Sequence, residues 1–239
     1  MNPTALITGA SKRIGKAVAE HLAARRWNVI IHFNNSAEDA IALVQQLSEK
    51  YPEQLFSSVM ANLVNSHEVQ SLITGIVSQT GPFDLLVNNA SVFDKSYLEE
   101  TSEDLFDTQM NVNLKAPFLL IRDFAKLCKK GNIINFVDTR IATNKSNYAA
   151  YSLSKKALWE LTKMAALELA PEIRVNAIAP GVTLAPVDES EEYLQNLAKN
   201  IPMKHPGGVE PILKSIDYIL ENNHLTGQLL FADGGENLI

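Results

Sequence analysis

The sequence predicts an α/β fold in three layers: a doubly wound parallel sheet of about seven strands with helices on both faces. Two observations carry that expectation. Short apolar runs alternate with stretches of helical period from one end of the chain to the other, the pattern of strand–helix–strand units. The strand-like runs are also apolar throughout, as burial on both faces of a parallel sheet requires.

The elements follow in order. Ala5-Leu6-Ile7 reads as the first strand, and Ile14, Ala17, Val18 and Leu22 recur behind it at helical spacing. Val29-Ile30-Ile31 is the second strand, and residues 36–50 read as a helix with Ile41, Val44 and Leu47 on one side. Leu55 to Met60 is a third strand, Val69, Leu72, Ile73 and Ile76 form the next helix face, and Leu85-Leu86-Val87 is a fourth strand. A longer helical region covers roughly 102–128, with a break or kink expected at Pro117, which lacks an N–H and crowds the preceding turn. Ile133 to Val137 is the fifth strand, 148–170 a helix stopped by Pro171, Ile173 to Ile178 the sixth strand and Gln228 to Phe231 the seventh. A Pro-rich loop and one or two short helices lie between the last two strands. No linker or internal repeat divides the chain, so residues 1–239 are expected to act as one domain.

Composition excludes several classes. The 239 residues are 46% hydrophobic, with a formal net charge of −6. That is a globular composition with no basic tract for a nucleic-acid backbone. The densest basic cluster, Lys126, Lys129 and Lys130, reads as a solvated helix end. The single cysteine, Cys128, cannot form an internal disulfide, which suits a reducing compartment. No CxxC or HExxH spacing suggests a metal. No signal-peptide pattern opens the chain, and no apolar run approaches the ~20 residues that span a bilayer. The expectation is a soluble, cytoplasmic protein that handles a small molecule, without nucleic-acid or membrane partners.

The first strand runs directly into Thr8-Gly9-Ala10-Ser11-Lys12-Arg13-Ile14-Gly15 and then a helix. Glycines at such a turn let the backbone approach a pyrophosphate, and the helix start offers free N–H groups and positive partial charge. This is the logic of a Rossmann fold. One glycine of the usual three is replaced by Arg13, a residue able to pair with a phosphate or an anionic or carbonyl substrate group. Gly9, Ser11, Arg13, Ile14 and Gly15 are therefore candidate cofactor contacts. The second strand ends in His32-Phe33-Asn34-Asn35-Ser36. NAD selection calls for a carboxylate there, on the ribose 2′-OH. With none present, Phe33, Asn34, Asn35 and Ser36, together with Arg13, favour NADP(H). Ser36 also suits the N-cap of the next helix.

Tyr151 and Lys155 are four apart on a predicted helix and share a face. The ammonium is expected to stabilise the phenolate and lower a pKa that is ordinarily ~10. Reaching neutrality takes ~3 units, or ~4 kcal/mol.

Taken together, these motifs resemble the short-chain dehydrogenase/reductase superfamily over essentially the whole chain. TGASKRIG looks like the family's cofactor loop, Asn88-Asn89-Ala90-Ser91 like its NNAG motif, and Asn113 like the helix asparagine of its catalytic tetrad. Tyr151-Ser152-Leu153-Ser154-Lys155 matches YxxxK, and Asn176 to Gly181, Thr226-Gly227 and Asp233-Gly234-Gly235 match later landmarks. The resemblance extends the implied cofactor set to Asn62, Leu63, Asn89, Ala90, Ser91, Pro180, Gly181 and Val182, with Tyr151 and Lys155. At Asn62 many members carry aspartate; asparagine still offers an acceptor and a donor.

Three departures narrow the resemblance. Asp138 stands where most members have serine, NNAG has become NNAS followed by Phe93, and the middle glycine is Arg13. These resemble the pteridine reductase branch, including dihydromonapterin-reductase-like members. The implied reaction is reduction of a dihydropterin or dihydrofolate by NADPH at a C=N bond. Arg13, Ser91, Phe93, Asp138, Tyr151, Gly181, Thr183 and Leu184 would touch substrate, with Ala185 nearby. Phe93 would sandwich the pterin, Tyr151 would donate the proton, Lys155 would tune Tyr151 and hold the nicotinamide ribose, and Asn113 would support a water chain. Asp138 either donates or relays a proton, or stands ionised and accepts from Tyr151. From the residues alone, Phe93 also reads as core and Asp138 as a turn residue. Two other activities remain: a carbonyl reductase such as a 3-oxoacyl-carrier-protein reductase, for which serine is expected at 138, and a non-catalytic NADP sensor, for which loss of Tyr151 or Lys155 is expected. The resemblance also implies a homotetramer, with the 102–128 and 148–170 helices at one interface, and a substrate lid over 182–200.

Overall fold

The structure, a computed structural model, describes residues 2–144, 146–185 and 190–239. Seven parallel strands form one sheet in the order β3-β2-β1-β4-β5-β6-β7. They are β1 (Thr4–Ile7), β2 (Asn28–Phe33), β3 (Phe56–Met60), β4 (Leu85–Asn88), β5 (Gly131–Phe136), β6 (Ile173–Pro180) and β7 (Leu229–Ala232). The helices are α1 (Arg13–Ala24), α2 (Ala37–Lys50), α3 (Ser66–Thr80), α4 (Glu103–Met110), α5 (Ala116–Leu127), α6 (Ala149–Leu169), α7 (Glu191–Ala198) and α8 (Glu210–Glu221). The fold class predicted from the sequence is the one observed.

The period-2 geometry of strands splits each apolar run between two cores. Leu6, Ile30, Leu86, Ile133 and Val175 face the layer that includes α3, α5 and α6. Ala5, Ile7, Val29, Ile31, Leu85, Val87, Ile134 and Ile178 face α1, α2 and α8. The strand order reverses between β1 and β4, and a ligand crevice is expected outside the carboxyl ends of strands at such a switch point.

Two expectations need correction. In α2 the covered side is Ala40, Leu43 and Leu47, while Ile41 is 60% exposed; the helix presents its 40/43/47 stripe to the sheet, and 41 lies 100° away from 40. The interruption between 102 and 128 is not a kink at Pro117. It is a π-helical turn, Asn111–Lys115, which runs on into α5, and Pro117 sits in the first turn of α5 directly after it. π-Turns recur at functional sites, and this one carries Asn113.

Among the described residues, no helix is long and apolar enough to cross a membrane.

Candidate active site

The predicted site segments follow the carboxyl ends of the strands, except Asn113 in the π-helical turn and Tyr151 and Lys155 on α6. The first cleft, about 510 Å³, opens beside the β1–α1 turn and reaches the ends of β2, β3 and β4. Gly9, Ser11, Arg13, Ile14, Gly15, Phe33, Asn34, Asn35, Ser36, Asn62, Leu63, Asn89, Ala90 and Ser91 all line it. Val182 does not; its carbonyl accepts from the Gly207 N–H at 3.0 Å.

The glycines at the turn are sterically required. Gly9 is left-handed, at φ 63°, and a Cβ at Gly15 would stand 2.3 Å from the Gly9 carbonyl oxygen and 2.6 Å from Asn89 Nδ2. Asn89 ties the turn to β4: its Nδ2 donates to the Thr8 and Gly9 carbonyls at 2.9 and 3.1 Å. The Thr8 hydroxyl accepts from the N–H groups of Asn89 and Ala90, each at 3.0 Å. His32 completes the clamp. Its Nδ1 accepts from the Gly9 N–H at 3.1 Å and its Nε2 bonds the Ala61 carbonyl at 3.0 Å, which fixes the neutral tautomer with the proton on Nε2. Burial lowers its pKa to about 4.

Ser36 occupies the N-cap position of α2, but its hydroxyl makes no capping bond. The neighbouring cation is Lys12, which sequence reasoning passed over; it lines the cleft and pairs with Asp39 at 2.9 Å. Arg13, left-handed at φ 53° where the usual pattern has glycine, points the other way. Its Nη1 and Nη2 donate to the carbonyls of Ala185 and Leu184 at 2.8 and 3.4 Å.

Arg13, Ile14, Asn89 and Ser91 also line a second cleft of about 270 Å³, walled by Phe93, Asp138, Tyr151, Lys155, Pro180, Gly181, Thr183 and Leu184. All eight predicted substrate contacts meet here. Residues 186–189 of the expected lid lie outside the described residues.

The Tyr151 hydroxyl donates to Asp138 Oδ2 at 2.7 Å, and Asp138 Oδ1 accepts from the Arg140 N–H at 2.8 Å. Both carboxylate oxygens are engaged in this arrangement, which serves acceptance from Tyr151 and relay of a proton to it alike. Lys155 Nζ is buried and donates to the Phe136 carbonyl at 2.8 Å; it lies 5.8 Å from the centre of the Tyr151 ring. The expected downward tuning of the phenol is therefore overturned. Burial, then the Asp138 charge and its hydrogen bond, push the Tyr151 pKa well above the ordinary value, and Arg140 and Ser91 only oppose this. Burial also lowers Lys155 to about 8, against the pull of Asp138.

Asn113 is fully buried. Its Oδ1 accepts from the Ser91 hydroxyl and the Val92 N–H, each at 3.0 Å. Its Nδ2 reaches the Val92 carbonyl, Gln109 Oε1 and Ser154 Oγ at 2.9–3.1 Å. The side chain thus binds the β4 turn to α4 and α6. Phe93 is not core: it is 52% exposed and meets the Tyr151 ring edge-on, centroids 4.6 Å apart. Tyr148, stacked on Phe93, and Arg140, over the Tyr148 ring, were also passed over. Their signal was position: one turn before Tyr151, and two residues after Asp138.

Comparison with known proteins gives the family of the chain. The family model described as short chain dehydrogenase matches residues 3–195. A 3-oxoacyl-acyl-carrier-protein reductase of Staphylococcus epidermidis is 32% identical, over 98% of this chain and 99% of its own. Pteridine reductase 1 of Leishmania tarentolae is 30% identical, over 99% and 96%. The crystal structure of an alternative dihydrofolate reductase 1 from Brucella canis, complexed with NADP, superposes with a TM-score of 0.92 at 34% identity, over 100% of this chain and 95% of that one.

Proposed function

This chain belongs to the short-chain dehydrogenase family, and from that premise we propose that it is an NADPH-dependent reductase of dihydropterins, adding hydrogen across a ring C=N bond. The first cleft fits the dinucleotide on its own chemistry. Glycines at 9 and 15 leave the room a Cβ would fill, the start of α1 presents unbonded N–H groups to a pyrophosphate, and Ser36 with Lys12 suits a 2′-phosphate. The solved structure from Brucella canis holds NADP on a similar fold.

When bound, NADPH supplies the hydride. The residues of the chain supply the rest. Tyr151 keeps its proton, because burial and Asp138 hold its pKa high, and donates it to the ring nitrogen next to the reduced carbon. Asp138, 2.7 Å away and partly exposed, returns a proton from solvent. Lys155, held by the Phe136 carbonyl, would hold the nicotinamide ribose, and Asn113 holds the Ser91 turn in place. Ser91 and Arg13 meet the polar edge of the pterin, and Phe93 its face.

One observation carries the reading: a phenol hydrogen-bonded to a carboxylate beside a half-exposed phenylalanine. Asp138 in place of serine, with Phe93, weighs against the second reading, carbonyl reduction, which the 3-oxoacyl reductase relative supports. The test measures NADPH oxidation with dihydrobiopterin, dihydrofolate and an acetoacetyl thioester. The dihydropterin is expected to be preferred, and Asp138→Ser to lower its kcat/KM by about 100-fold, the scale of one proton-transfer group, without lowering thioester turnover. Unchanged dihydropterin turnover in that variant would sink the reading.

We further take residues 1–239 to work as one cytoplasmic reductase domain in a homotetramer. Phe106, Phe118, Leu153, Met164 and Leu167 are exposed apolar side chains on α4, α5 and α6, which supports packing of these helices against other copies.

A further inference from the structure

Phe93 stands on the irregular segment after β4, outside the clusters that form the core. What holds it is a pile of side chains. Its ring lies parallel to Tyr148, centroids 4.3 Å and planes 6° apart, and the Arg140 guanidinium carbon lies 4.3 Å from the same Tyr148 ring centre. Arg140 is itself fixed at two points: its N–H donates to Asp138 Oδ1, and its Nη1 donates to Asn147 Oδ1 at 3.0 Å. Tyr148 precedes α6 as its N-cap residue and bridges to Ser96 on the Phe93 segment, with the Ala149 N–H on the Ser96 carbonyl at 3.1 Å.

We propose that Arg140 and Tyr148 are specificity-determining positioning residues, which hold the Phe93 ring in one plane beside Tyr151 and so make the cleft select a flat conjugated ring over a flexible acyl chain. The inference rests on the pterin reading above and names what enforces it. A half-exposed phenylalanine on a loop otherwise samples several rotamers, and a ligand that stacks on it must supply the ordering entropy. Stacking on Tyr148 removes that freedom in advance. A guanidinium suits the back of the pile because it is planar and stacks on aromatic faces, and its charge is attracted to the ring face. The Arg140 bond to Asp138 is made by the backbone N–H, which every substitution of the side chain keeps.

The test uses 2,4-diaminopteridine as a flat, non-reduced probe, titrated into the NADPH-bound protein, beside dihydrobiopterin kinetics and NADPH affinity. Arg140→Met and Tyr148→Leu are expected to weaken probe binding and raise the dihydrobiopterin KM by about tenfold, the upper end of one stacking or cation–π contact. In both, kcat should stay within about threefold, since the proton donor is intact, and NADPH affinity should not move. Tyr148→Phe keeps the pile and should behave as wild type, and Arg140→Lys should rescue in part, lacking the flat fork. Should Tyr148→Leu fail to fold, Arg140→Met decides. Wild-type probe affinity in Arg140→Met, or equal losses in Tyr148→Phe and Tyr148→Leu, overturns the proposal. A wild-type protein that neither binds the probe nor reduces a dihydropterin overturns the pterin reading, and this inference with it.

Discussion

The two clefts share a wall but are held by different chemistry. Around the nucleotide turn the restraints are neutral: Gly9 on a histidine held uncharged by burial, Asn89 on two carbonyls, Thr8 on two N–H groups. Around Tyr151 they involve ionisable groups, with buried Lys155 on a carbonyl and partly exposed Asp138 on a phenol and an N–H. A neutral frame keeps its shape above about pH 6.5, where His32 is uncharged in the folded and unfolded chain alike, and leaves the ligand's charge to helix N–H groups. A charged frame makes proton transfer responsive to single substitutions and to pH, because each buried charge shifts its neighbours.

The largest expected effect separates the two regions. Tyr151→Phe removes the proton donor and should lower dihydropterin kcat by about 100- to 10,000-fold, the range for a positioned acid, while NADPH affinity, measured by fluorescence titration, stays unchanged. A parallel loss of NADPH binding would break the division. Gly15→Ala is the converse. Its Cβ meets backbone at 2.3 Å, so a cost of about 1–3 kcal/mol is expected, read as weaker NADPH binding and a lower Tm.

Two pH experiments sharpen the contrast. His32 has a folded pKa of about 4, below its ordinary 6.5. Its contribution is complete above pH 6.5 and is lost as pH falls toward 4, to a total of about 3 kcal/mol. Urea unfolding should follow that course, and His32→Gln should flatten it. At the other end, Lys155 titrates at about 8 and is charged only below that value. If its charge is needed, kcat/KM should fall by about tenfold per pH unit on the alkaline side of 8, and Lys155→Arg should lack that limb.

Legibility differed between the regions for the same reason. The nucleotide wall is built from short runs, each contiguous in sequence, so Gly9, Gly15 and the 33–36 segment announced themselves, and all but Val182 of the predicted first-cleft contacts from the strand-end turns line one cleft or the other. Lys12 was overlooked beside Arg13 because only the structure shows the two side chains diverging, one to Asp39 and one to the 184–185 carbonyls. Around Tyr151 the residue types were legible and their coupling was not. Helical spacing put Lys155 on the same face, but spacing carries no sign for a pKa.

The sequence by itself determined the α/β layering, the cofactor turn and the identity of the phenol, ammonium and carboxylate, because strand burial, glycine sterics and helical periodicity are local properties of the chain. The tertiary structure alone decided that Tyr151 answers to Asp138 rather than Lys155, that Phe93 rests on Tyr148, and that Arg13 reaches the 184–185 loop. Those outcomes depend on distances between segments far apart in sequence and on how much water burial removes, and neither quantity is written in residue order.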